Sequence, residues 1–469
     1  MQRYFQQNAF AKMILGSRVI SSTKGKHMIK KWLNNIMPTK KSKQKIKGVY
    51  HHIPLDFNNH AALKVLEQLH RSGYEAYLVG GAVRDLLLGV QPKDFDIATN
   101  ARPEQVSKIF RRSRIIGRRF QIVHVMVGSE TIEVSTFRSG GRVKQNEFGR
   151  IMQDNAYGTL EQDAMRRDFT CNALYYDIHT HQIIDFHNGL NDVKARKIVM
   201  IGDPAERYHE DPVRMLRAVR LSGKLGFQIE EKTAAPIPDN AILLRKEPVA
   251  RLFDEMMKIL FSGQAESCLK QLTVLNNVDI HPMLTAMFQA ASPDQPQMGR
   301  IALQQTDLRL QENKSVSVGF VLAAFFWQAL AHRWQVKQKR QSSAAAMNDA
   351  ISSLHEDMEH GWGVPQRYSA TMREIWALQP QFESLRGNRP FRLLSQARFR
   401  AAYDFLLLRA QCDETLQPLA DWWTKFQHTS EEERRAMTQN QPQPEKSSEY
   451  KPAKKKRRRP RKKKKAVEE

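Results

Sequence analysis

The fold turns on LVGGAVRDLLLG (Leu78–Gly89) and, four residues later, KDFDIAT (Lys93–Thr99). Glu75 to Val79 reads as a strand, Gly80-Gly81 as a turn, and the next residues as a helix ending at Gly89. Lys93 to Ala98 reads as a second strand, with Phe95 and Ile97 alternating against Asp94 and Asp96. Side chains at i and i+2 leave the same strand face, ~6.5–7 Å apart at Cα. Two carboxylates there suit a pair of Mg²⁺ ions, though alternating acids also mark a solvated strand face. Gly80 and Gly81 allow close backbone approach, and the following helix start offers N–H groups to a phosphate. No Gly-x4-Gly-Lys-Ser/Thr motif is present, which disfavours ordinary P-loop ATPases and GTPases.

Working outward, Leu63, Leu66 and Leu69 recur at helical spacing before Gly73. Pro103 suits the first turn of another helix, ending near Arg112. Gln121–Val127 and Thr131–Phe137 alternate as two strands joined by Gly128-Ser129. Glu133 lies between Ile132 and Val134 and so faces away from the core, as a site acid or an exposed one. The glycine-containing polar stretch 139–158 reads as a mobile loop. Arg166-Arg167-Asp168-Phe169-Thr170 reads as opening an amphipathic helix, with Asp168 a helix-end charge or a further site acid. In Glu210-Asp211-Pro212-Val213-Arg214, Asp211 and Arg214 share a helix face at i and i+3. That pair is a structural ion pair or a reader of a base edge.

The 469 residues carry 74 Lys and Arg against 49 Asp and Glu, a net charge of +25. Residues 1–55 hold 12 basic residues and no acid, and 451–469 hold 12 against two Glu. The two ends thus carry +22, leaving about +3 for the middle. Such blocks are solvated arms with salt-sensitive affinity for polyanions. The first segment has a transit-peptide composition, while Met28 is an alternative start. Three scattered cysteines exclude a disulfide framework, and Cys171 is expected to be buried. Neither histidine group, at 51–60 or 179–187, has zinc-ligand spacing. The most apolar window, Gly319–Ala331, is 13 residues long and too short to span a bilayer.

The two opening motifs, with RRDFTCNALYYD (166–177) and EDPVRMLRAVR (210–220), resemble the class II nucleotidyltransferases. That superfamily contains tRNA CCA-adding enzymes and bacterial poly(A) polymerases. The resemblance is firm over about 60–260, and looser from ARLFDEMMKIL (250–260) onward. It implies an α+β fold: a small mixed-sheet head, an all-helical neck and body, and disordered basic termini. The expected division is a 1–55 extension, a 56–185 catalytic head, a 186–265 neck, a 266–430 RNA-binding body and a 431–469 tail.

By resemblance, Asp94 and Asp96 ligate two Mg²⁺ ions, with Mn²⁺ the alternative. Asp168 is a further active-site aspartate, and Glu133 supplies a third metal carboxylate. Gly80, Gly81, Arg84 and Arg167 hold the triphosphate, and Asp211 with Arg214 reads the incoming base. IIGRRFQIVHV (115–125), FRAAYDFLLLRA (399–410) with Trp422-Trp423, and the Lys/Arg tail resemble the poly(A) polymerase branch. The implied substrates are ATP and RNA 3′ ends, in the bacterial cytoplasm, with RNA-decay proteins reached through the tail. The alternatives are a CCA-adding enzyme, organellar if residues 1–27 are a transit peptide, and a non-catalytic RNA-binding protein on the same fold.

Overall fold

A computed structural model describes residues 48–439 except 118–120, 140–143, 146–150, 154–155, 276–280, 282–283, 286, 288–297 and 362. The N-terminal extension up to residue 47 and the basic tail from 440 lie outside the described residues. Two units divide the chain after Val49, and the fold below belongs to the second, Tyr50–Glu469.

Among the described residues, ten strands organise its first part. They are β1 (Val49–His52), β2 (Ala76–Val79), β3 (Asp96–Thr99), β4 (Ser113–Ile116), β5 (Ile122–Val127), β6 (Glu130–Thr136), β7 (Lys144–Gln145), β8 (Ile151–Gln153), β9 (Leu174–Asp177) and β10 (Gln182–Asp185). Eight form one mixed sheet in the order β1-β10-β9-β2-β3-β6-β5-β4, while β7 and β8 pair separately. The pairs β2–β3, β5–β6 and β9–β10 are antiparallel, and β3–β6 is parallel.

Period-2 alternation determines the faces. Val123, Val125, Ile132 and Val134 are buried, as is Ile97 in β3. Helices α1 (His60–Arg71) and α3 (Pro103–Ile109) pack against the sheet. Asn59 caps α1 by accepting from the Ala62 N–H, and α1 buries Ala61, Ala62, Val65, Leu66 and Leu69. Between them, α2 (Gly81–Leu87) follows β2 directly.

Four local expectations change. The strand read from Lys93 begins only at Asp96 and runs to Thr99, so Asp94 lies in the connection before it. The stretch 139–158, expected as a loop, contains the β7–β8 ribbon. Arg166–Thr170 opens no helix: α4 (Leu160–Met165) ends just before it, and a single 3-10 turn at Thr170–Asn172 leads into β9. The chain must enter the sheet there, and that tertiary demand overrides the helical pattern. The tail was expected to begin at 431, but Glu431–Gln439 is helical.

After β10 the chain is mostly helical. Helices α5 (Gly189–Lys194), α6 (Pro204–Glu210), α7 (Val213–Leu225) and α8 (Val249–Leu260) lead away from the sheet. The apolar window at 319–331 is not one helix, because the chain breaks at Phe326 between Val318–Phe325 and Trp327–Gln338. Among the described residues, no helix is long and apolar enough to cross a membrane. One hydrophobic cluster runs from the sheet into the helices, and a second gathers Phe382, Phe399, Tyr403, Trp423 and Phe426.

Candidate active site

Register lines up one row of side chains across the sheet. Tyr175 of β9 stands opposite Val79 of β2, and Val79 opposite Asp96 of β3. Asp96 pairs with Glu133 of β6, Glu133 with His124 of β5, and His124 with Arg114 of β4. Paired residues share a face, so this row lies opposite the one carrying Ile97, Val123 and Val134. The two strand acids therefore face each other from parallel neighbours, with Asp94 two residues before the first. His124 Nε2 lies 3.2 Å from Glu133 Oε1.

Asp96 keeps part of its side chain in water. The surrounding protein nonetheless thins that solvent and raises its carboxyl pKa to about 6. Glu133 raises it further, the Arg167 guanidinium opposes the rise, and Asp94 adds a smaller upward push. Acids whose mutual repulsion is only partly relieved, all with hard oxygen donors, fit a divalent cation completed by phosphate and water oxygens. Among the described residues, no group of three acids, histidines or cysteines by itself forms a ready metal cage.

Beside this row, the β2–α2 turn is tight. Gly80 has φ +75° and ψ −127°. A Cβ built there would contact Arg167 Nη1 at 3.5 Å and the Asn172 carbonyl at 3.6 Å. Space is adequate, so backbone conformation is the obstacle, since L-residues reach such φ values only with strain. Gly80→Ala is expected to cost about 1–3 kcal/mol in urea unfolding, with m unchanged.

The arginines divide. Arg84, expected at the triphosphate, is 4% exposed and committed elsewhere. Its Nε and Nη2 donate to Asp85 Oδ1 at 2.9 and 2.6 Å, and Nη1 donates to Asn172 Oδ1. It braces the turn instead of opening toward the acids. Arg167 is the guanidinium that influences Asp96. Its Nε donates to the Tyr175 hydroxyl at 2.9 Å and its Nη2 to Asp163 Oδ2 at 3.1 Å. The Tyr175 hydroxyl also donates to Asp163 Oδ2, at 2.8 Å. Sequence reading missed Asp163 and Tyr175; the only signal was Asp163 standing three and four residues before Arg166 and Arg167.

Asp168 does not join the acid row as a bare carboxylate. Its Oδ1 accepts from the Phe169 N–H at 2.8 Å, and its Oδ2 accepts from Arg217 Nε at 2.7 Å and Nη2 at 2.6 Å. Burial alone would raise its pKa, but Arg217 and these hydrogen bonds outweigh it and hold the group down at about 2. This pair ties the entry to β9 onto α7. Cys171 is buried, and burial pushes its thiol up to about 12.

Asp211 and Arg214 do face each other, at 4.0 Å, but each has a closer partner. Arg251 Nη2 of α8 donates to Asp211 Oδ2 at 2.7 Å. Arg214 Nη1 donates to Glu210 Oε2 at 2.8 Å and to the Arg207 carbonyl at 2.9 Å.

A carboxylate row beside a strand–Gly-Gly–helix turn, on a small mixed sheet feeding a helical body, defines a nucleotidyltransferase. Known proteins agree. The model described as "Poly A polymerase head domain" matches residues 76–199. "Probable RNA and SrmB- binding site of polymerase A" matches 226–286, and "Polymerase A arginine-rich C-terminus" matches 339–463. Poly(A) polymerase I of Haemophilus influenzae is 40% identical over 415 residues, 84% of this chain and 90% of that protein. A CCA-adding enzyme of Lactobacillus helveticus is 44% identical, but over 198 residues, 42% of this chain and 49% of that one. The CCA-adding enzyme of Bacillus stearothermophilus, solved in complex with CTP, superposes with a TM-score of 0.52 at 28% identity, covering 77% of this chain and 80% of that one. Percentage identity does not separate the two branches; the length matched in sequence does, 84% of this chain for the poly(A) polymerase against 42% for the CCA-adding enzyme. The chain belongs to the bacterial poly(A) polymerase family.

Proposed function

We propose that this protein transfers AMP from ATP to RNA 3′ ends without a template, in the bacterial cytoplasm. The observation that carries the chemistry is Asp96 in register with Glu133 on parallel strands, two residues after Asp94. Likeness to a poly(A) polymerase along nearly its whole length favours that branch over CCA addition.

The RNA 3′-oxygen attacks the ATP α-phosphorus, the bond to the β-phosphate oxygen breaks, pyrophosphate leaves, and the hydroxyl proton passes to solvent. Asp94 and Asp96, with Glu133 beside them, would hold Mg²⁺ or Mn²⁺, which neutralises triphosphate charge and favours ionisation of the hydroxyl. Gly80 and Gly81 let the triphosphate approach the backbone. Arg167, held by Tyr175 and Asp163, supplies positive charge beside Gly80. Asp168 anchors the entry to β9 through Arg217 and so positions the segment carrying Arg167. Asp211 and Arg214, braced by Arg251 and Glu210, present an acceptor and a donor to the adenine edge.

This reading keeps a head at 56–185, a neck at 186–265 and an RNA-binding body at 266–430. It assigns RNA-decay partners to the basic tail or to the segment 226–286. Purified protein incubated with Mg²⁺, a short RNA and each nucleotide separately should give long ladders with ATP alone. Incorporation of CMP onto a tRNA lacking its terminal CCA would overturn the assignment in favour of a CCA-adding enzyme.

A further inference from the structure

Among the described residues, the face of β4–β6 that carries Glu133 is solvent-accessible. Helices α1 and α3 pack against these strands, while the core face buries Val123, Val125, Ile132 and Val134. On the other face Thr131 and Glu133 are exposed, and Ile122, His124 and Ser135 are half-buried. Ile116 and Met126, on this same face, are 40% and 39% exposed. Arg114 lies at the β4 end of the row that passes through His124 and Glu133 to Asp96. Arg112, two residues before it, stands opposite Met126, whose N–H donates to the Arg112 carbonyl at 2.9 Å. Both guanidiniums are exposed, and neither makes an ion pair or side-chain hydrogen bond among the described residues.

We infer that this face is the track along which the last nucleotides of the RNA 3′ end reach the acids. The inference rests on the polymerase reading and names a substrate surface for it. Strands lie ~4.8 Å apart, so Arg114, three strands from Asp96, is roughly 14 Å away. The charge runs from cations at the sheet edge to carboxylates at its middle. Backbone phosphates are drawn to Arg112 and Arg114 at the sheet edge, which leaves the 3′-hydroxyl end of the strand to reach the acids. Met126 on β5 offers apolar contact to sugars and base faces between the edge and the acids, and Ile116 offers it beside Arg114 on β4. Edge-strand charges also discourage sheet extension. That role explains neither the two exposed apolar residues nor the continuity of this face with the acid row.

The test is the full chain carrying Arg112→Ala and Arg114→Ala together, read by fluorescence anisotropy with 5′-labelled oligo(A) over a range of salt, and by steady-state kinetics. Each lost single-strand phosphate contact lowers the slope of log affinity against log salt by about 0.7, so the double variant should lose about 1.4. Its KM for RNA should rise while its KM for ATP moves little, and Arg112→Lys with Arg114→Lys should restore the slope. An unchanged slope and RNA KM would overturn the track, as would unchanged RNA binding with altered sedimentation, which gives the face to a second copy of the chain. Failure of the polymerase reading itself is distinct: the wild-type protein would then add no AMP, while the salt slope would still test the track.

Discussion

Asp96→Asn is expected to abolish AMP incorporation and yet raise the unfolding midpoint of the protein measured in a metal chelator. Asp96 is exposed, yet the surrounding protein displaces enough water to push its carboxyl pKa up to about 6, with Glu133 adding, Arg167 opposing and Asp94 adding less. In an unfolded chain an aspartate titrates near 3.9. Between those values the folded state holds more protons than the unfolded one, so stability falls as pH rises through roughly 4 to 6. Above that window the ionised carboxylate is a standing cost to the fold, partly screened by the water it still meets. Asparagine removes the charge, and the gap in unfolding midpoint should open between about pH 4 and pH 6 and stay constant above. Activity moves the other way. Charge stabilisation at such sites is worth several kcal/mol, and each 1.36 kcal/mol is tenfold, so a loss of at least about 10³-fold in kcat is expected. Asp94→Asn should match that loss. Retained activity in either variant would sink the site, and a less stable Asp96→Asn protein would remove the repulsion argument.

The faces of Asp96 and Glu133 were readable because strand alternation is local, whereas Asp94, in the connection before β3, was not placed by it. Ile132 and Val134 on either side of Glu133 determine its face, and Ile97 beside Asp96 does the same. Their parallel pairing is not local: β3 and β6 are joined only after α3, β4 and β5 intervene, and no residue in either strand names its neighbour. Residue chemistry was also readable where allegiance was not. Arg84 has the right charge for a triphosphate, but Asp85 and Asn172 take its donors. The i, i+3 spacing of Asp211 and Arg214 brings them together at 4.0 Å, yet Arg251, forty residues on, makes the shorter contact with Asp211. Such allegiances depend on which helices pack side by side. The segment 166–170 failed for a related reason: its pattern suits a helix, but it is the chain's way into β9.

Asp163 is where those non-local allegiances carry the largest expected effect, because one enclosed carboxylate holds four donors. At 1% exposure it accepts from Arg166 Nε at 3.0 Å, Arg167 Nη2 at 3.1 Å, the Tyr175 hydroxyl at 2.8 Å and the Arg138 N–H at 3.2 Å. Burial pushes its pKa up, but the Arg167 and Arg166 guanidiniums, with the hydroxyl and the backbone N–H, bring it below the ordinary aspartate value. Asp163→Ala removes the counter-charge and leaves the Arg167 guanidinium and the Tyr175 hydroxyl enclosed without it. Breaking a buried pair from one side costs about 3–5 kcal/mol, which urea unfolding at neutral pH should register as a lower midpoint. A depressed pKa contributes stability above the unfolded value and loses it as pH falls through the folded one. The gap between wild type and Asp163→Ala should therefore be full above about pH 4 and close only in more acid solution. Asp163→Asn keeps the volume and some acceptor capacity and should recover part of the loss. Tyr175→Phe removes only the hydroxyl, leaves the Asp163–Arg167 pair in place, and should loosen Arg167 beside Gly80 at smaller cost to the fold. If that guanidinium serves the triphosphate, Tyr175→Phe raises the KM for ATP more than it lowers the unfolding midpoint; equal and small effects on both would make the cluster a brace for the sheet alone.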